Sequence, residues 1–129
     1  MLTSAIVLIV SVNTPDLPRV AKSIAVQESS NKNCKPYWDV NGYAWGLYAF
    51  HAARWKDCGG KTSEWGKATP DRQLAVMTNG LRKQTKKMPI GLSVDDKVRW
   101  YASWHNGRPK GNWHTAYADK VLKIYKKLP

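Results

Sequence analysis

The chain has few acidic residues and no long apolar run, and both shortages limit what the protein can be. Nine Asp and Glu residues stand against 21 Lys and Arg, so the formal net charge is +12 over 129 residues. Such a field attracts polyanions, but nucleic acid, anionic lipid and the bacterial wall would all respond to it. The longest apolar run, residues 5–10, is too short to span a bilayer, which needs about 20 residues.

Several catalytic signatures are missing as well. His51, His105 and His114 lack the spacing of a zinc protease, so the sequence predicts no metal site and no cofactor. Residues 60–62 read Gly-Lys-Thr, like the end of a phosphate-binding loop, but position 55, where that motif needs glycine, is tryptophan. No nucleophile-elbow serine motif occurs. Carboxylate chemistry is the option that remains.

Cysteine is scarce, since the chain holds only Cys34 and Cys58. If they are bridged, the disulfide would stabilise the fold by roughly 3 kcal/mol in the chain-entropy model and would indicate an oxidising compartment. Two separate free thiols are the alternative. The length predicts a single domain, residues 1–129. In it, residues 1–12 are either an element of the core or a remnant membrane anchor, and they lack the basic start of a secretory signal.

The pattern of caps and apolar positions predicts a mainly α-helical protein. Thr14-Pro15-Asp16 and Thr69-Pro70-Asp71 each offer a capping hydroxyl, a proline for the first helical position and an acid that complements the helix dipole. Ser93, which is followed by two acids, begins a third helix. An amphipathic helix over residues 117–128 closes the chain, and one short β-hairpin is predicted around residues 37–43.

The most informative local feature is the position of Glu28. Leu17, Val20, Ile24 and Glu28 follow spacings of three, four and four residues, which puts them on one face of a helix. A carboxyl group on an apolar face is desolvated, and desolvation raises its pKa because it disfavours the charged form. A glutamic acid that stays protonated near neutrality can donate its proton to a glycosidic oxygen. The alternatives are a surface glutamate at a frayed helix end and a structural ion pair.

Four blocks between residue 16 and the C-terminus carry a family resemblance. The first helix ends in Glu28-Ser29. The later blocks read Gly42-Tyr-Ala-Trp-Gly46-Leu47-Tyr-Ala, Tyr101-Ala-Ser-Trp104-His105-Asn106-Gly107 and Tyr117-Ala-Asp-Lys-Val121-Leu-Lys-Ile-Tyr125. In this order they resemble the Glu-Ser, Gly-x-x-Gly-Leu-x-Gln, Ala-Ala-Tyr-Asn-Ala-Gly and Tyr-Val-x-Lys-Val-Leu-x-x-Tyr blocks of lytic transglycosylases of the soluble-transglycosylase and goose-lysozyme type.

This resemblance implies a lysozyme-like fold, with helical lobes around a glycan-binding cleft, and it implies Glu28 as the catalytic acid. Tyr117 would then form a hydrogen bond with Glu28 and orient its side chain. The substrate-binding residues carried over are Ser29, Gly46, Leu47, Tyr48, Trp104, His105 and Asn106. The chain departs from the family at Ala49, where the family has glutamine, and at Trp104-His105, where it has Tyr-Asn. These departures fall among the predicted sugar contacts and leave Glu28 unchanged.

The implied reaction is cleavage of the β-1,4 bond between N-acetylmuramic acid and N-acetylglucosamine in peptidoglycan. If the sugar's own 6-hydroxyl attacks, the enzyme is a lytic transglycosylase; if water attacks, it is a muramidase. Asp39 is the candidate for a second acid, although the sequence favours the alternative that it is an exposed turn residue. A wall-binding protein that has the same fold and lacks activity is a further alternative.

The expected partners are the glycan strands of peptidoglycan, and the chain is expected to be a monomer outside the cytoplasm, in the periplasm or in a phage virion. No nucleic acid is expected, because the basic residues are spread along the chain instead of clustering on one recognition helix. Membrane contact through residues 1–12 is a weaker alternative.

Overall fold

The computed structural model describes residues 14–107 and 111–129, and they form five α-helices and one two-stranded antiparallel sheet. Short 3-10 turns follow α2 and α3. The predicted role of residues 1–12 lies outside the described residues. No helix within the described ranges is long and apolar enough to cross a membrane. In chain order the elements are α1 (Leu17–Ser29), β1 (Tyr37–Asp39), β2 (Gly42–Ala44), α2 (Ala52–Asp57), α3 (Pro70–Gln84), α4 (Val94–His105) and α5 (Ala116–Lys127).

Two helices, α3 and α4, begin at the capping side chain that the sequence predicts. Thr69 accepts a hydrogen bond from the N–H of Arg72 at the start of α3, and Ser93 caps α4 in the same way. At α1 the expected cap, Thr14, is wrong. Asp16 is the cap instead, because its carboxylate accepts from the N–H of Arg19 and Pro18 occupies the first turn.

Helix α1 packs against both α3 and α5, and α4 packs against α5. The start of α1 is joined to the end of α5: Arg19 donates to the carbonyls of Tyr125 and Leu128, and Tyr125 accepts at its hydroxyl from the N–H of Asp16. The two helices therefore run antiparallel. Glu28 lies nine residues beyond Arg19, and Tyr117 lies eight residues before Tyr125, so the same pairing brings Glu28 and Tyr117 together at the opposite end.

The predicted hairpin is confirmed. β1 and β2 pair in antiparallel register, with Trp38 opposite Tyr43 and Asp39 opposite Gly42. The turn between them depends on Gly42, whose φ of 123° is a conformation that side chains disfavour. Alternation along a strand gives Asp39 and Trp38 opposite faces of the hairpin.

The buried side chains of the helices and of the segment after the hairpin form one hydrophobic cluster. Its largest fully buried members are aromatic: Trp55, Trp100, Tyr48, Tyr101 and Phe50. The expected mainly α-helical protein with one short hairpin is thus what the structure has.

Candidate active site

A cleft of about 380 Å³ opens between the helices and the hairpin, and it contains two carboxylates. Glu28 reaches it from the end of α1, and Asp39 reaches it from β1. Each carboxylate has a histidine partner in the cleft, His105 for Glu28 and His51 for Asp39. The remaining lining residues are Asn41, Tyr48, Ala49, Arg54, Asn106 and Gly107.

Glu28 is held by two side chains from different helices. The Tyr117 hydroxyl donates to Glu28 Oε1 at 2.7 Å, and His105 Nε2 lies 3.2 Å from the same oxygen. The Glu28 side chain is 23% exposed and that of His105 is 7% exposed, so the group is largely withdrawn from water while it still faces the cleft. The other ring nitrogen of His105, Nδ1, is buried and has no hydrogen-bond partner among the described residues.

The pKa of Glu28 differs from the sequence-based expectation. Burial raises it, as predicted, but the hydrogen bond and positive charge of His105 and the hydrogen bond from Tyr117 together outweigh burial. The pKa of Glu28 therefore lies below its ordinary value. The expectation of a raised pKa was wrong because position on a helix face predicts desolvation and says nothing about the partners that two other helices supply.

Asp39 is held in a more open setting. His51 Nε2 lies 3.0 Å from each of its two carboxylate oxygens, and the N–H of Asn41 donates to Oδ1 at 2.7 Å. The hydrogen bonds from His51 and from the turn hold the pKa of Asp39 below its usual range. The side chain stays 29% exposed. Asp39 is therefore an ionised carboxylate that reaches water in the same cleft as Glu28.

Three of the predicted substrate-binding residues, Ser29, Gly46 and Leu47, make contacts that stabilise the fold. The hydroxyl of Ser29 lies 2.9 Å from the carbonyl of Leu47 and accepts from the N–H of Lys32, which ties the end of α1 to the following turn. Gly46 has a φ of 81°, and a Cβ there would collide with Gln73. Gln73 in turn accepts from the N–H of Leu47 at 2.8 Å. Their predicted sugar contacts stay predictions, and none of the three lines the cleft.

The other predicted contacts divide between the cleft and its surroundings. His105 and Asn106 line the cleft. Tyr48 contributes to its floor but is only 1% exposed, with its hydroxyl bonded to the carbonyl of Ala21, so it offers no free ring face for a sugar. Trp104 faces a neighbouring groove, where the Arg54 guanidinium carbon lies 4.2 Å from the centre of its ring.

The predicted disulfide is not formed in this structure, where Cys34 and Cys58 are both free thiols. Cys58 ends α2 and its sulfur packs directly against Gly80 of α3, so it points into the interface between these two helices. The carbonyl of Cys34 accepts from the N–H of Gly46, which fixes Cys34 in the segment before the hairpin. The structure therefore shows no bridge between the two cysteines, and the disulfide stays a prediction.

Sequence reasoning missed His51, Asn41 and Arg54 as residues of the cleft. His51 was considered only as a metal ligand, and it lies two residues beyond Ala49, the position at which the family resemblance fails. Asn41 falls within the predicted hairpin, around residues 37–43, and no pattern marks it as a cleft residue. No local pattern marks Arg54, because its place in the cleft depends on how α2 packs.

No protein-family model, curated protein or solved structure matches this chain.

Proposed function

We propose that this protein cleaves the β-1,4 glycosidic bond between N-acetylmuramic acid and N-acetylglucosamine in peptidoglycan, as a lytic transglycosylase with a lysozyme-like arrangement of helices. The observation that carries the proposal is the position of Glu28. Its carboxylate lines the cleft, is largely buried and accepts a hydrogen bond from the Tyr117 hydroxyl at 2.7 Å. That contact is the one which the family resemblance predicts from two blocks far apart in the sequence.

In the proposed reaction Glu28 donates its proton to the glycosidic oxygen, and the bond to the sugar's anomeric carbon breaks. The glutamate, now a carboxylate, takes the proton of the 6-hydroxyl of muramic acid while that oxygen closes on the anomeric carbon. The product is a 1,6-anhydro sugar, and no water is consumed. Tyr117 fixes the carboxylate, and its hydrogen bond stabilises the ionised form that follows proton donation.

Glu28 must be protonated before it can act as the acid, although its partners favour the carboxylate in the open cleft. A glycan strand in the cleft would displace water from Glu28, and this added desolvation raises the pKa of the carboxyl group. Proton uptake would thus accompany substrate binding. We expect the rate to increase as the pH falls toward the pKa of Glu28 in the substrate complex.

A second candidate, hydrolysis by a muramidase, is favoured by one observation. Asp39 is ionised and partly exposed in the same cleft, and His51 holds both of its oxygens. A carboxylate in this state can accept a proton from an attacking water molecule, which is the role of the second carboxylate in inverting glycosidases. Asp39 would then act beside Glu28, and the product would carry one additional water.

The deciding experiment is digestion of purified peptidoglycan, with the products identified by mass spectrometry. Anhydro-muropeptides are expected from a lytic transglycosylase, and products heavier by one water are expected from a muramidase. The chain offers a matched control, because Glu64 is its only other glutamate and is paired with Arg72 away from the cleft. Glu64→Gln should leave product formation unchanged, whereas Glu28→Gln should abolish it. If neither wild type nor Glu64→Gln releases any product, the proposed enzymatic activity is wrong.

A further inference from the structure

A second groove, which we call the basic groove, lies next to the cleft and meets it at Arg54. It encloses about 460 Å³, and the charged and aromatic residues that line it are Arg54, Asp57, Lys83, Lys86, Lys87 and Trp104. Arg54 also lines the cleft that holds Glu28 and Asp39. A ligand that occupies the cleft can therefore extend past Arg54 into the basic groove.

The positive charge of the basic groove is largely uncompensated within the chain. Four cationic side chains line it together with a single carboxylate, Asp57. Lys83 donates to the backbone carbonyl of Asp57 at 2.9 Å, while Lys86 and Lys87 make no hydrogen bond or ion pair with any described residue. Most other acids of the described chain, such as Glu64, are already paired with cations elsewhere.

Arg54 is fixed in an orientation that suits an anion. Its guanidinium stacks on the Trp104 ring at 4.2 Å, a cation–π contact that limits its movement. One of its nitrogens, Nη1, is buried and lacks an acceptor among the described residues. A buried donor without an acceptor is unfavourable, and the planar guanidinium matches the oxygens of a carboxylate or a phosphate.

We propose that the basic groove binds oxyanions carried by the wall glycan while the glycan strand itself occupies the cleft. The oxyanions have two sources with the same chemistry: the carboxylates of the stem peptides on muramic acid and the phosphodiesters of polymers linked to the strand. This inference rests on the proposed function, since it assumes that the cleft holds the strand. It assigns a recognition role to Lys86, Lys87 and Arg54.

The test compares a double variant, Lys86→Gln with Lys87→Gln, with a control of equal charge change, Lys123→Gln with Lys127→Gln. The control lysines are exposed near the end of α5, and neither of them lines the basic groove or the cleft. The substrates are glycan with stem peptides, glycan with linked teichoic acid but no stem peptides, and glycan stripped of both. All are assayed for kcat/KM at low salt, where such charge interactions are strongest.

The groove variant should lose about fivefold in kcat/KM on a substrate that carries the recognised oxyanion and nothing on the stripped glycan, as two surface ion pairs would give. A loss confined to one of the two anionic substrates identifies the source. The control pair should change all three rates equally and slightly. An equal loss on all substrates, stripped glycan included, would overturn the proposal.

Binding of the inactive Glu28→Gln protein separates this inference from the proposed function. If the wild type releases no products, the activity is wrong, but cosedimentation of Glu28→Gln with the three wall preparations still tests the basic groove. Cosedimentation that Lys86→Gln with Lys87→Gln weakens only on anionic walls supports it. If the groove variant cosediments as well as its parent and instead loses binding to short duplex DNA, the basic groove is a nucleic-acid site and the proposal fails.

Discussion

The cleft contains two carboxylate–histidine pairs, one with a glutamate and one with an aspartate, and they differ in their surroundings. Glu28 and His105 sit on the helical side, with side chains 23% and 7% exposed, and Tyr117 adds a third contact. Asp39 and His51 sit on the hairpin side, 29% and 34% exposed, with a backbone N–H as the third contact. Burial opposes ionisation strongly for Glu28 and only weakly for Asp39.

This comparison shows that the same two chemical groups, a carboxylate and an imidazole, can have different electrostatic properties in one cleft. On the helical side the pKa of Glu28 is a balance between opposing effects, so a change in the cleft such as substrate binding can shift it. On the hairpin side the hydrogen bonds to Asp39 act with little opposition, so it stays a carboxylate over a wide pH range. The first is suited to exchange of a proton, and the second to permanent negative charge.

The largest expected effect comes from removing the carboxylate on the helical side. Glu28→Gln should lower kcat on peptidoglycan by about 10³-fold or more, because a positioned general acid contributes about 10²–10⁴-fold. The fold should persist, since glutamine can still accept from Tyr117. Circular dichroism melting of the variant checks the fold, and product release checks the rate. Activity within tenfold of the wild type would remove Glu28 from the mechanism.

The next largest effect, at Asp39 on the hairpin side, depends on whether water or the 6-hydroxyl attacks. Asp39→Asn should lower the rate by about 10²-fold if Asp39 takes a proton from water, and by less than tenfold if the 6-hydroxyl attacks. Asp71→Asn is the matched control, because Asp71 is exposed and lines neither the cleft nor the basic groove. The rates should be read with the product masses. Anhydro products combined with a 10²-fold loss in Asp39→Asn would contradict both versions of the mechanism.

His105→Gln should change the pH dependence more than the maximal rate. The pKa of Glu28 is lowered by the hydrogen bond and charge of His105, so removing them raises it. Glu28 then stays protonated to higher pH, and the falling limb of the pH profile of kcat/KM moves to higher pH. His114→Gln is the control, since His114 is 59% exposed and near Asp96 instead. A limb that moves to lower pH would mean that His105, and not Glu28, supplies the proton.

Tyr117→Phe should have a smaller effect, a loss of about tenfold in kcat with little change in KM, because one hydrogen bond to a charged group contributes about 1.5 kcal/mol at the lower end of its range. The comparison variant is Tyr125→Phe, which removes the hydroxyl contact with Asp16 at the other end of the same helix pair. Tyr125→Phe should lower the melting temperature slightly and leave kcat unchanged. Equal kinetic effects of the two variants would show that Tyr117 acts through stability alone.

The smallest expected effect concerns Cys34 and Cys58, the two residues of the predicted disulfide. Since Cys34 and Cys58 are free thiols, a reducing agent should leave the melting temperature unchanged. In the native protein an alkylating reagent should modify Cys34 first, because burial raises the pKa of the Cys58 thiol to about 11 and it is 1% exposed. A mass two hydrogens lower, with neither thiol reactive, would show that the bridge forms after all.

Much of the helical side was predictable from the sequence because the relevant signals are local. The caps at Thr69 and Ser93 are confirmed. The apolar spacing also predicted correctly that Glu28 lies near the C-terminal end of α1. The cap at Asp16 was missed because Thr14 and Asp16 offer similar acceptors two residues apart. Which of them caps depends on where α1 meets α5.

The cleft itself was less predictable. Asp39 was a candidate, but its partner His51 follows a different element twelve residues later and no spacing rule joins them. Trp104 and Tyr48 were predicted to bind substrate, but tertiary packing places Arg54 over the ring of Trp104 and buries Tyr48. The periodicity of apolar residues predicts which face of a helix or strand is buried, but it does not predict which residues pack against that face.

The sequence by itself determined the helices, the hairpin, the position of a carboxylate at the end of an apolar face and the excess of positive charge, because each depends on residues close together in the chain. Only the tertiary structure decided that His105 meets Glu28, that Asp39 shares its cleft and that Arg54 joins this cleft to the basic groove. The contact between Tyr117 and Glu28 was predicted from the family resemblance, and the structure supplies its geometry. These contacts bring together residues from separate helices and from the hairpin. Their electrostatics follow from distances and burial, which exist only once those elements have packed.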